Sequence, residues 1–342
     1  MQVVKGVVIV NANLNITNSV INLYIGVDHR QDNYNRVYEK IQEGKDQYNK
    51  LEVLTDQKRK TAAGSAALAE YYKNKGQYIK GKRVEECHKY IQLKQYTDID
   101  YTSISKINLC RERLCLNCAH VKARENARLL MKATENLPQR FLTFTVKNVN
   151  AKNLKNTMSY MRKAIKKMFR ALNIKDYYEK YEITCKITEL GEISLHPHIH
   201  ILTPLNNFTF KRSVANRLWA KYYNELARVN NKYLLTKNEI VDDNTKSCFE
   251  MSKYITKPTN ITPETIPIFD EQLKGVHLTQ AHGLYRELIK KAKEFFKTNK
   301  AELQELLKDF DYMLISYIFD DQNYTEIERE TKKDHEKNYS NA

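Results

Sequence analysis

The sequence predicts an α+β fold in which helices flank an antiparallel sheet. Two runs rich in β-branched and aromatic residues, 181–190 and 193–202, read as strands, and Gly191 between them suits a tight turn. Strands joined this closely pair antiparallel. A third strand is predicted at 140–149, and apolar residues recur at helical spacing through 154–172. These observations place a hairpin and its neighbouring helices at the centre of the fold.

Three histidines alternate along the second strand of this hairpin: His196, His198 and His200. Residues i, i+2 and i+4 of a strand share one face, so the imidazoles should form a row while Ile199 and Ile201 turn into a core. Neutral imidazole is a common metal ligand. We therefore predict a divalent-metal site here. The alternative is a histidine-rich strand that binds no ligand.

An acidic residue near the hairpin turn is expected to complete this metal site. Glu189 and Glu192 are both close in sequence to the histidines and carry oxygen ligands. The sequence does not decide which of the two faces the metal.

The charge of the chain points to a polyanionic partner. Its 342 residues carry 57 Lys and Arg against 41 Asp and Glu, a net charge of +16. Binding to phosphates would release counterions and favour association with nucleic acid. The 23 tyrosines include candidates for stacking on unpaired bases. A charge that serves only solubility is the alternative.

Neither a membrane span nor a secretory signal is evident, so the sequence predicts a cytoplasmic protein with no membrane partner. The N-terminal apolar run is interrupted by several asparagines and lacks the approximately 20 apolar residues that a span requires. In a reducing compartment, cysteines are expected as metal ligands rather than disulfides.

Four cysteines predict a structural zinc site: Cys87, Cys110, Cys115 and Cys118. The CxxC spacing of the last two lets both thiolates reach one tetrahedral ion, and the other two complete the shell. His88 and His120 are possible substitutes, and free buried thiols are the alternative. Several cations surround this segment and suggest a DNA-contacting surface: Arg111, Arg113, Lys122, Arg124 and Arg128.

A helix predicted over 249–258 carries the reactive candidates. Glu250 and Tyr254 are spaced i and i+4 and so share one helix face, and Pro258 ends the helix. Beside a metal that polarises a phosphate, the Tyr254 oxygen could attack and form a covalent phosphotyrosine. Glu250 could accept a proton from water in a hydrolytic release step. Taken alone, this spacing is equally typical of a surface tyrosine on an amphipathic helix.

The chain divides into four predicted parts. Residues 1–80 form a strand and helical accessory arm, 81–135 the Cys-rich zinc segment with a linker helix, 136–325 the domain with the histidine strand, and 326–342 a polar, disordered tail.

The ordered motifs resemble those of the rolling-circle replication initiators of small plasmids, within the HUH endonuclease superfamily. Residues 141–149 are similar to the first motif strand, 196–202 to the metal motif, and 250–257 to the nucleophile motif of the subgroup with one tyrosine and an upstream glutamate. The cysteine block is similar to the one that precedes the first motif, although Leu116 stands where a proline usually follows the third cysteine. The resemblance runs from about Cys87 to Tyr285.

This resemblance implies a HUH endonuclease-like fold, a central antiparallel sheet with the metal strand in the middle and the nucleophile helix beside it. It implies site-specific nicking and joining of one strand at the plasmid origin, single-stranded or cruciform at the nick site. Tyr254 would hold the 5′ phosphate, and Glu250 would direct water at termination. The free 3′-OH would prime synthesis by a host DNA polymerase, and a host helicase is a further expected partner.

The superfamily also implies Mg²⁺ or Mn²⁺, held by two histidines and one further polar ligand. We rank His198 and His200 first, then His196, then Glu189. The candidate DNA contacts are Lys253, Lys257, Arg113 and Lys147.

Four other functions compete with this interpretation. A conjugative relaxase usually has its nucleophile before the histidines, whereas Tyr254 follows them here. A single-strand transposase shares this order but is disfavoured by the cysteine block and the Glu250–Tyr254 pairing. A non-catalytic DNA-binding regulator would not need these intact residues. A zinc hydrolase leaves the basic charge unexplained.

Overall fold

The protein folds around two antiparallel sheets with helices between and around them. The computed structural model describes residues 36–37, 51–187, 191–205, 211–230, 236–241, 244–253 and 258–340. None of the helices in these ranges is long and apolar enough to cross a membrane.

The first part of the chain is helical and leads into a two-stranded hairpin. Its elements are α1 (Leu51–Asn74), α2 (Tyr78–Glu85), β1 (Tyr90–Tyr96), β2 (Thr102–Ile107) and α3 (Leu116–Ala133). The described part of the arm predicted over 1–80 is helical, as α1 and the start of α2, while the strand predicted in this arm lies outside the described residues. Helix α3 corresponds to the linker helix predicted within 81–135 and begins directly after Cys115, the third cysteine of the cluster.

The middle of the chain alternates strands and helices. It contains β3 (Gln139–Thr145), β4 (Val149–Asn150), α4 (Leu154–Ala171), β5 (Tyr177–Ile187), β6 (Ile193–Pro204), α5 (Arg212–Ala227), β7 (Thr236–Ile240), α6 (Asn244–Ser252), α7 (Ile266–Gln272) and β8 (Thr279–His282). The last part contains α8 (Leu284–Leu306), β9 (Tyr312–Phe319), β10 (Tyr324–Thr331) and α9 (Lys332–Ser340).

The central sheet has six strands, and the histidine strand β6 lies in its middle. The strand order is β7-β3-β6-β5-β8, and the short strand β4 also pairs with β6. All described pairings are antiparallel, and β5 and β6 form the predicted hairpin with Ile187 opposite Ile193. The α+β class and the antiparallel sheet that the sequence predicts are both present.

One face of the central sheet is buried by α4 and α5. Ile199 and Ile201 are fully buried in this core, as their alternation with the histidines predicts. Phe144 of β3 packs on Trp219 of α5 with ring centroids 5.3 Å apart. The apolar stripe of α4 completes the layer, and Phe169 meets Phe144 edge to face. This face therefore anchors β6 and leaves its other face available for chemistry.

Three helices partly cover the opposite face. Leu130 of α3, Met251 of α6 and Tyr285 of α8 pack with Leu202 at the end of the histidine strand. The Tyr285 hydroxyl donates a hydrogen bond to Gln139 Oε1 at 2.5 Å, which satisfies its polar atom within this apolar cluster. The packing brings α6 against the sheet. This helix overlaps the start of the predicted nucleophile helix, but it covers 244–252 rather than 249–258.

The second sheet has four strands in the order β10-β9-β1-β2 and joins the two ends of the described chain. Leu54 of α1 packs on Ile91 of β1 and Phe319 of β9. The strand β9 falls inside the predicted 136–325 segment, but it pairs with β1 of the Cys-rich segment. The structure thus differs from the predicted division of the chain at this strand.

The disordered tail expected over residues 326–342 is wrong for its described part, because β10 and α9 occupy it up to Ser340. The prediction rested on the polar composition of these residues. Strand β10 is exposed along most of its length and joins the sheet through backbone hydrogen bonds to β9, while Tyr324 is the side chain that it buries. Backbone pairing at a sheet edge does not require apolar side chains.

Candidate active site and cysteine cluster

The three histidines of β6 lie in one row on the face of the central sheet that α6 covers. The centroids of the His196 and His198 rings are 4.3 Å apart, and those of His198 and His200 are 6.1 Å apart. His200 is 7% exposed, and the other two histidines are half-buried. The strand alternation read from the sequence therefore predicts the arrangement of the rings correctly.

A glutamate of the neighbouring strand approaches this row. Glu182 lies on β5 directly opposite His198, and its Oε2 is 2.8 Å from His200 Nε2. The other ring nitrogen of His200, Nδ1, is 3.0 Å from Thr143 Oγ1 on β3. His198 Nε2 is 3.0 Å from His196 Nδ1. Contacts from strands on both sides thus fix the orientation of the His200 ring.

The electrostatics of the row favour metal-binding forms of these groups. The hydrogen bond from His200 lowers the pKa of the Glu182 carboxyl to about 2, against the opposing effect of its partial burial. Burial, together with the neighbouring His196 and His200, lowers the pKa of His198 to about 4. At neutral pH Glu182 is therefore ionised and His198 is neutral, the forms in which both residues coordinate cations.

The donor chemistry of this row fits a divalent cation. His200 Nε2 and Glu182 Oε2 lie 2.8 Å apart, where a bound cation would replace the proton that they share, and His198 adds a neutral imidazole two residues along β6. The donor atoms meet in two pairs rather than at a single point. Among the His, Cys, Asp and Glu residues of the described ranges, the four cysteines are the one group of three or more whose donor atoms all lie within 4.8 Å of one another.

The acid that the structure brings to the histidines differs from those expected from the sequence. Glu192 is exposed at the turn, and Glu189 lies outside the described residues. The register of the β5–β6 hairpin could have identified this acid. With Ile187 opposite Ile193, antiparallel pairing places Glu182 opposite His198. Glu189 and Glu192 were expected because they are closest in sequence to the histidines, whereas cross-strand pairing brings in Glu182, which is more distant in sequence.

Lys180 is a second residue of the site that sequence reasoning missed. It lies opposite His200 on β5, is 3% exposed, and donates a hydrogen bond to the backbone carbonyl of Glu250 at 2.9 Å. Burial lowers the pKa of its ammonium group to about 8, although Glu182 and Glu250 counteract the shift. Through this contact, the last turn of α6 is held over the histidine row.

The nucleophile candidate itself falls beyond this turn. Helix α6 ends at Ser252, and both Tyr254 and Lys257 lie outside the described residues. The Glu250 carboxylate pairs with Lys253, whose side chain is 60% exposed. The structure therefore brings the backbone of Glu250 to Lys180 beside the histidine row, while the roles of Glu250 and Tyr254 and the placement of Tyr254 stay predictions.

The four predicted zinc ligands form a tight cluster. The Sγ atoms of Cys87 and Cys118, of Cys110 and Cys118, and of Cys115 and Cys87 are each 3.6 Å apart. Four sulfurs at the usual zinc–sulfur distance of ~2.3 Å would be about 3.8 Å apart at tetrahedral angles. The spacing, the burial and the all-thiol donor set fit one metal ion with no open position.

The local chain around these cysteines supports the cluster. The backbone N–H of Cys110 donates to Cys87 Sγ at 3.3 Å, and that of Arg111 donates to Cys118 Sγ at 3.1 Å. His88 and His120 are not part of the cluster, since His88 Nδ1 contacts the Tyr324 hydroxyl. Of the alternatives left open by the sequence, the structure favours four cysteines.

The predicted DNA contacts occupy different surroundings. The Arg113 guanidinium donates to the Leu273 carbonyl and links the cysteine segment to the end of α7. Lys147 is exposed just after β3, and Lys253 is exposed at the end of α6. A DNA contact by any of these three residues stays a prediction. The hydrogen bond to Leu273 shows that Arg113 also stabilises the fold.

Comparison with known proteins decides the family. A family model described as "Replication protein" matches residues 101–330, which include the central sheet and most of the cysteine cluster. This chain belongs to that replication protein family. Proteins of this kind initiate plasmid replication and act on the plasmid's origin DNA. The motif resemblance read from the sequence is thereby confirmed at the level of a plasmid replication initiator.

Several curated relatives of this replication protein are each named "Protein rep". The one from Staphylococcus aureus is 28% identical over 190 residues, which cover 52% of this chain and 82% of the relative. The one from Bacillus amyloliquefaciens is 25% identical over 62% of this chain and 72% of its own length. The one from Lentilactobacillus hilgardii is 24% identical over 74% and 84%. No solved structure matches the chain significantly.

Proposed function

We propose that this replication protein initiates plasmid replication by nicking one strand of the origin with Tyr254 as the nucleophile. The observation that carries the proposal is the contact between Lys180 and the Glu250 carbonyl, because it sets the end of α6 over the histidine row. Tyr254 follows Ser252 by two residues, a length of chain that spans about 7 Å at most. The nucleophile would thus meet a phosphate held at the row.

The histidine row would hold the scissile phosphate through a divalent cation, Mg²⁺ or Mn²⁺. His198, His200 and Glu182 are the residues that would bind the ion, with His196 beside them. When bound, the ion supplies Lewis-acid polarisation of a phosphoryl oxygen. The described contact of Thr143 Oγ1 with His200 Nδ1 would fix the His200 ring and so limit where the phosphate sits.

The nicking step exchanges one phosphoester for another. The Tyr254 oxygen forms a bond to phosphorus and loses its proton, the bond from phosphorus to the 3′ oxygen breaks, and that oxygen leaves protonated as a 3′-OH. The product is a 5′-phosphotyrosine, and attack by a 3′-OH reverses the step and joins strands. At termination, Glu250 would take a proton from water as the water oxygen bonds to phosphorus. The bond from phosphorus to the Tyr254 oxygen breaks, and that oxygen leaves protonated as the free phenol, with a 5′-phosphate on the DNA. Elongation from the free 3′-OH would fall to a host helicase and DNA polymerase.

The nucleophile is tested by Tyr254→Phe in a nicking assay on single-stranded origin DNA with Mg²⁺ or Mn²⁺. We expect nicking to be abolished while DNA binding persists, because only the attacking oxygen is removed. Mapping of the DNA-linked peptide from the unmodified protein should identify Tyr254. Tyr78→Phe, at a side chain that is 70% exposed on α2, is the matched control and should nick normally. Persistent nicking by Tyr254→Phe would refute the assignment.

The release step is tested by Glu250→Ala in the same assay. The variant should still nick and join, but the covalent protein–DNA adduct should accumulate because no base activates water. Glu192→Ala, at the exposed turn between β5 and β6, serves as the control and should release DNA at the normal rate. Normal release by Glu250→Ala would contradict the proposed role of this carboxylate.

We also propose that the cysteine cluster holds a structural Zn²⁺. Four thiolates without an open position are typical of structural rather than catalytic zinc. The cluster joins the helical arm to α3, whose Leu130 packs near the end of the histidine strand. The ion would thus stabilise one wall of the active site.

A further inference from the structure

A cleft of about 840 Å³ lies beside the proposed active site, between the first half of α1, the helix α3, the last turn of α6 and the turn that joins β9 to β10. Its volume lies in the range of roughly 300–1,000 Å³ that ligand pockets occupy. Nothing in the proposed nicking chemistry uses this cleft.

The cleft and the histidine row share one structural element. Phe249, Ser252 and Lys253 of α6 line the cleft, and the carbonyl of Glu250 on the same helical turn accepts the hydrogen bond from Lys180 beside the row. Tyr254 is the next residue along the chain. The last turn of α6 thus contributes both to the cleft and to the surroundings of the row.

The charge of the lining suits a phosphodiester chain. Four cationic side chains line the cleft against two carboxylates, Glu52 and Asp56. Asp56 pairs with Lys60 at 3.1 Å, and Lys253 pairs with Glu250 of the same helix. Arg59 and Arg124 then face the remaining carboxylate, Glu52, which leaves a modest positive excess. Arg59 closes one wall by donating to the Gln322 carbonyl at 2.5 Å and to Asn323 Oδ1 at 2.6 Å. The walls are thus held together by their own contacts.

Two other side chains in the lining suit a nucleobase. Phe249 is 37% exposed, and its ring offers a stacking surface. Gln57 is 7% exposed, and its Nε2 is buried without a hydrogen-bond partner among the described residues. A buried amide donor without a partner is costly, so a ligand with an acceptor at this position would be favoured.

We propose that this cleft binds one unpaired base of the origin strand next to the scissile phosphate. The proposal rests on the proposed nicking function and adds a determinant of origin specificity. Phe249 stacks on the base, the Gln57 amide donates to an acceptor on its edge, and Lys253 contacts the adjoining phosphate. Gln57 belongs to α1, which precedes the segment 101–330 that the family model matches. Part of the base recognition therefore comes from outside the shared family segment.

The test measures equilibrium binding of the full chain, without divalent metal, to a single-stranded oligonucleotide covering the origin nick site. Each base near the nick is replaced in turn by an abasic residue. For the unmodified protein, one abasic position should weaken binding by about 5- to 100-fold, since base stacking contributes at that level. A scan without any sensitive position would overturn the proposal.

Substitutions of residues that line the cleft then test whether the base at the sensitive position binds there. Phe249→Ala and Gln57→Leu should each bind the intact oligonucleotide more weakly and lose sensitivity to the abasic position. Ile79→Ala, at a side chain that is 82% exposed on α2 and outside the cleft, should keep the full sensitivity. Because Phe249 is partly exposed, its variant keeps the test valid if Gln57→Leu does not fold.

The outcome separates the two proposals. If the protein nicks DNA through Tyr254 but both cleft variants keep the abasic pattern of the unmodified protein, the cleft assignment is wrong and the nicking function stands. If the variants lose that pattern while Tyr254→Phe still nicks, the cleft assignment stands and the nucleophile is wrong.

Discussion

Glu182 shows how one residue determines the chemistry of the candidate site. Its carboxylate lies 2.8 Å from His200 Nε2, and the hydrogen bond from His200 keeps its pKa at about 2. An ionised carboxylate beside imidazoles provides the oxygen that a hard cation such as Mg²⁺ or Mn²⁺ prefers. The site therefore depends on a residue from β5 as well as on the histidine motif of β6.

Glu182→Gln removes the charge and nearly preserves the shape of this side chain. We expect Mn²⁺ affinity, measured by titration of the purified protein, and the nicking rate to fall by roughly 10- to 100-fold, as for other residues that support a metal site. Glu192→Gln on the same hairpin should leave both quantities unchanged, since this residue is exposed at the turn. Equal effects of the two substitutions would show that Glu182 has no special part in metal binding.

At the scale of elements, the cysteine cluster joins segments that lie apart along the chain. Cys87 follows α2, Cys110 follows β2, and Cys115 and Cys118 begin α3. A bound Zn²⁺ would fix these three elements in place, and structural zinc sites contribute apparent binding energies of ~10–16 kcal/mol to folding. Removal of the ion should therefore loosen this segment before it affects the central sheet.

Cys115→Ser should abolish the binding of one zinc per chain and accelerate amide hydrogen exchange in α2, β1 and β2. The reason is that a hydroxyl is a poor replacement for a buried thiolate ligand. Cys185→Ser provides the matched control, because Cys185 lies on β5 outside the cluster and should keep both zinc and protection. Metal analysis and hydrogen-exchange mass spectrometry measure the two effects. A zinc content that is unchanged in Cys115→Ser would exclude this ligand set.

At the scale of the whole molecule, the two ends of the described chain build one sheet. Strand β9 pairs with β1, and β10 covers the outer edge of β9. Leu314 and Ile315 of β9 are buried, so the C-terminal strands are part of the folded protein and not an appendage. The sheet also carries the β9–β10 turn to the cleft beside α6.

Truncation after Asp311 should expose the edge of β1 and the apolar surface of α1. We expect low solubility and rapid proteolysis between residues 51 and 107, because an unpaired strand edge is prone to association and opening. Truncation after Thr331 removes α9 alone and should leave the fragment pattern in limited proteolysis close to that of the full chain. If both truncated proteins resist protease equally, β9 does not support the second sheet.

The local pattern of the sequence was sufficient to predict several strands and helices and the residues of the cysteine cluster. Strict alternation identified the face of β6 that carries the imidazoles, and the helical period identified α4 and its buried stripe. The four cysteines were found from spacing and residue type. Such features depend on neighbours within a few positions of the chain, where backbone geometry relates sequence to direction directly.

Contacts between distant segments followed from the tertiary structure alone. The pairing of β9 with β1 joins residues more than two hundred positions apart, and backbone hydrogen bonding leaves little trace in composition. The approach of Lys180 to Glu250 and of Glu182 to His200 likewise depends on strand register and helix docking. Sequence by itself thus determined the motifs and the family resemblance. Tertiary structure decided which acid meets the histidines and which helices enclose the cleft, because these depend on long-range packing.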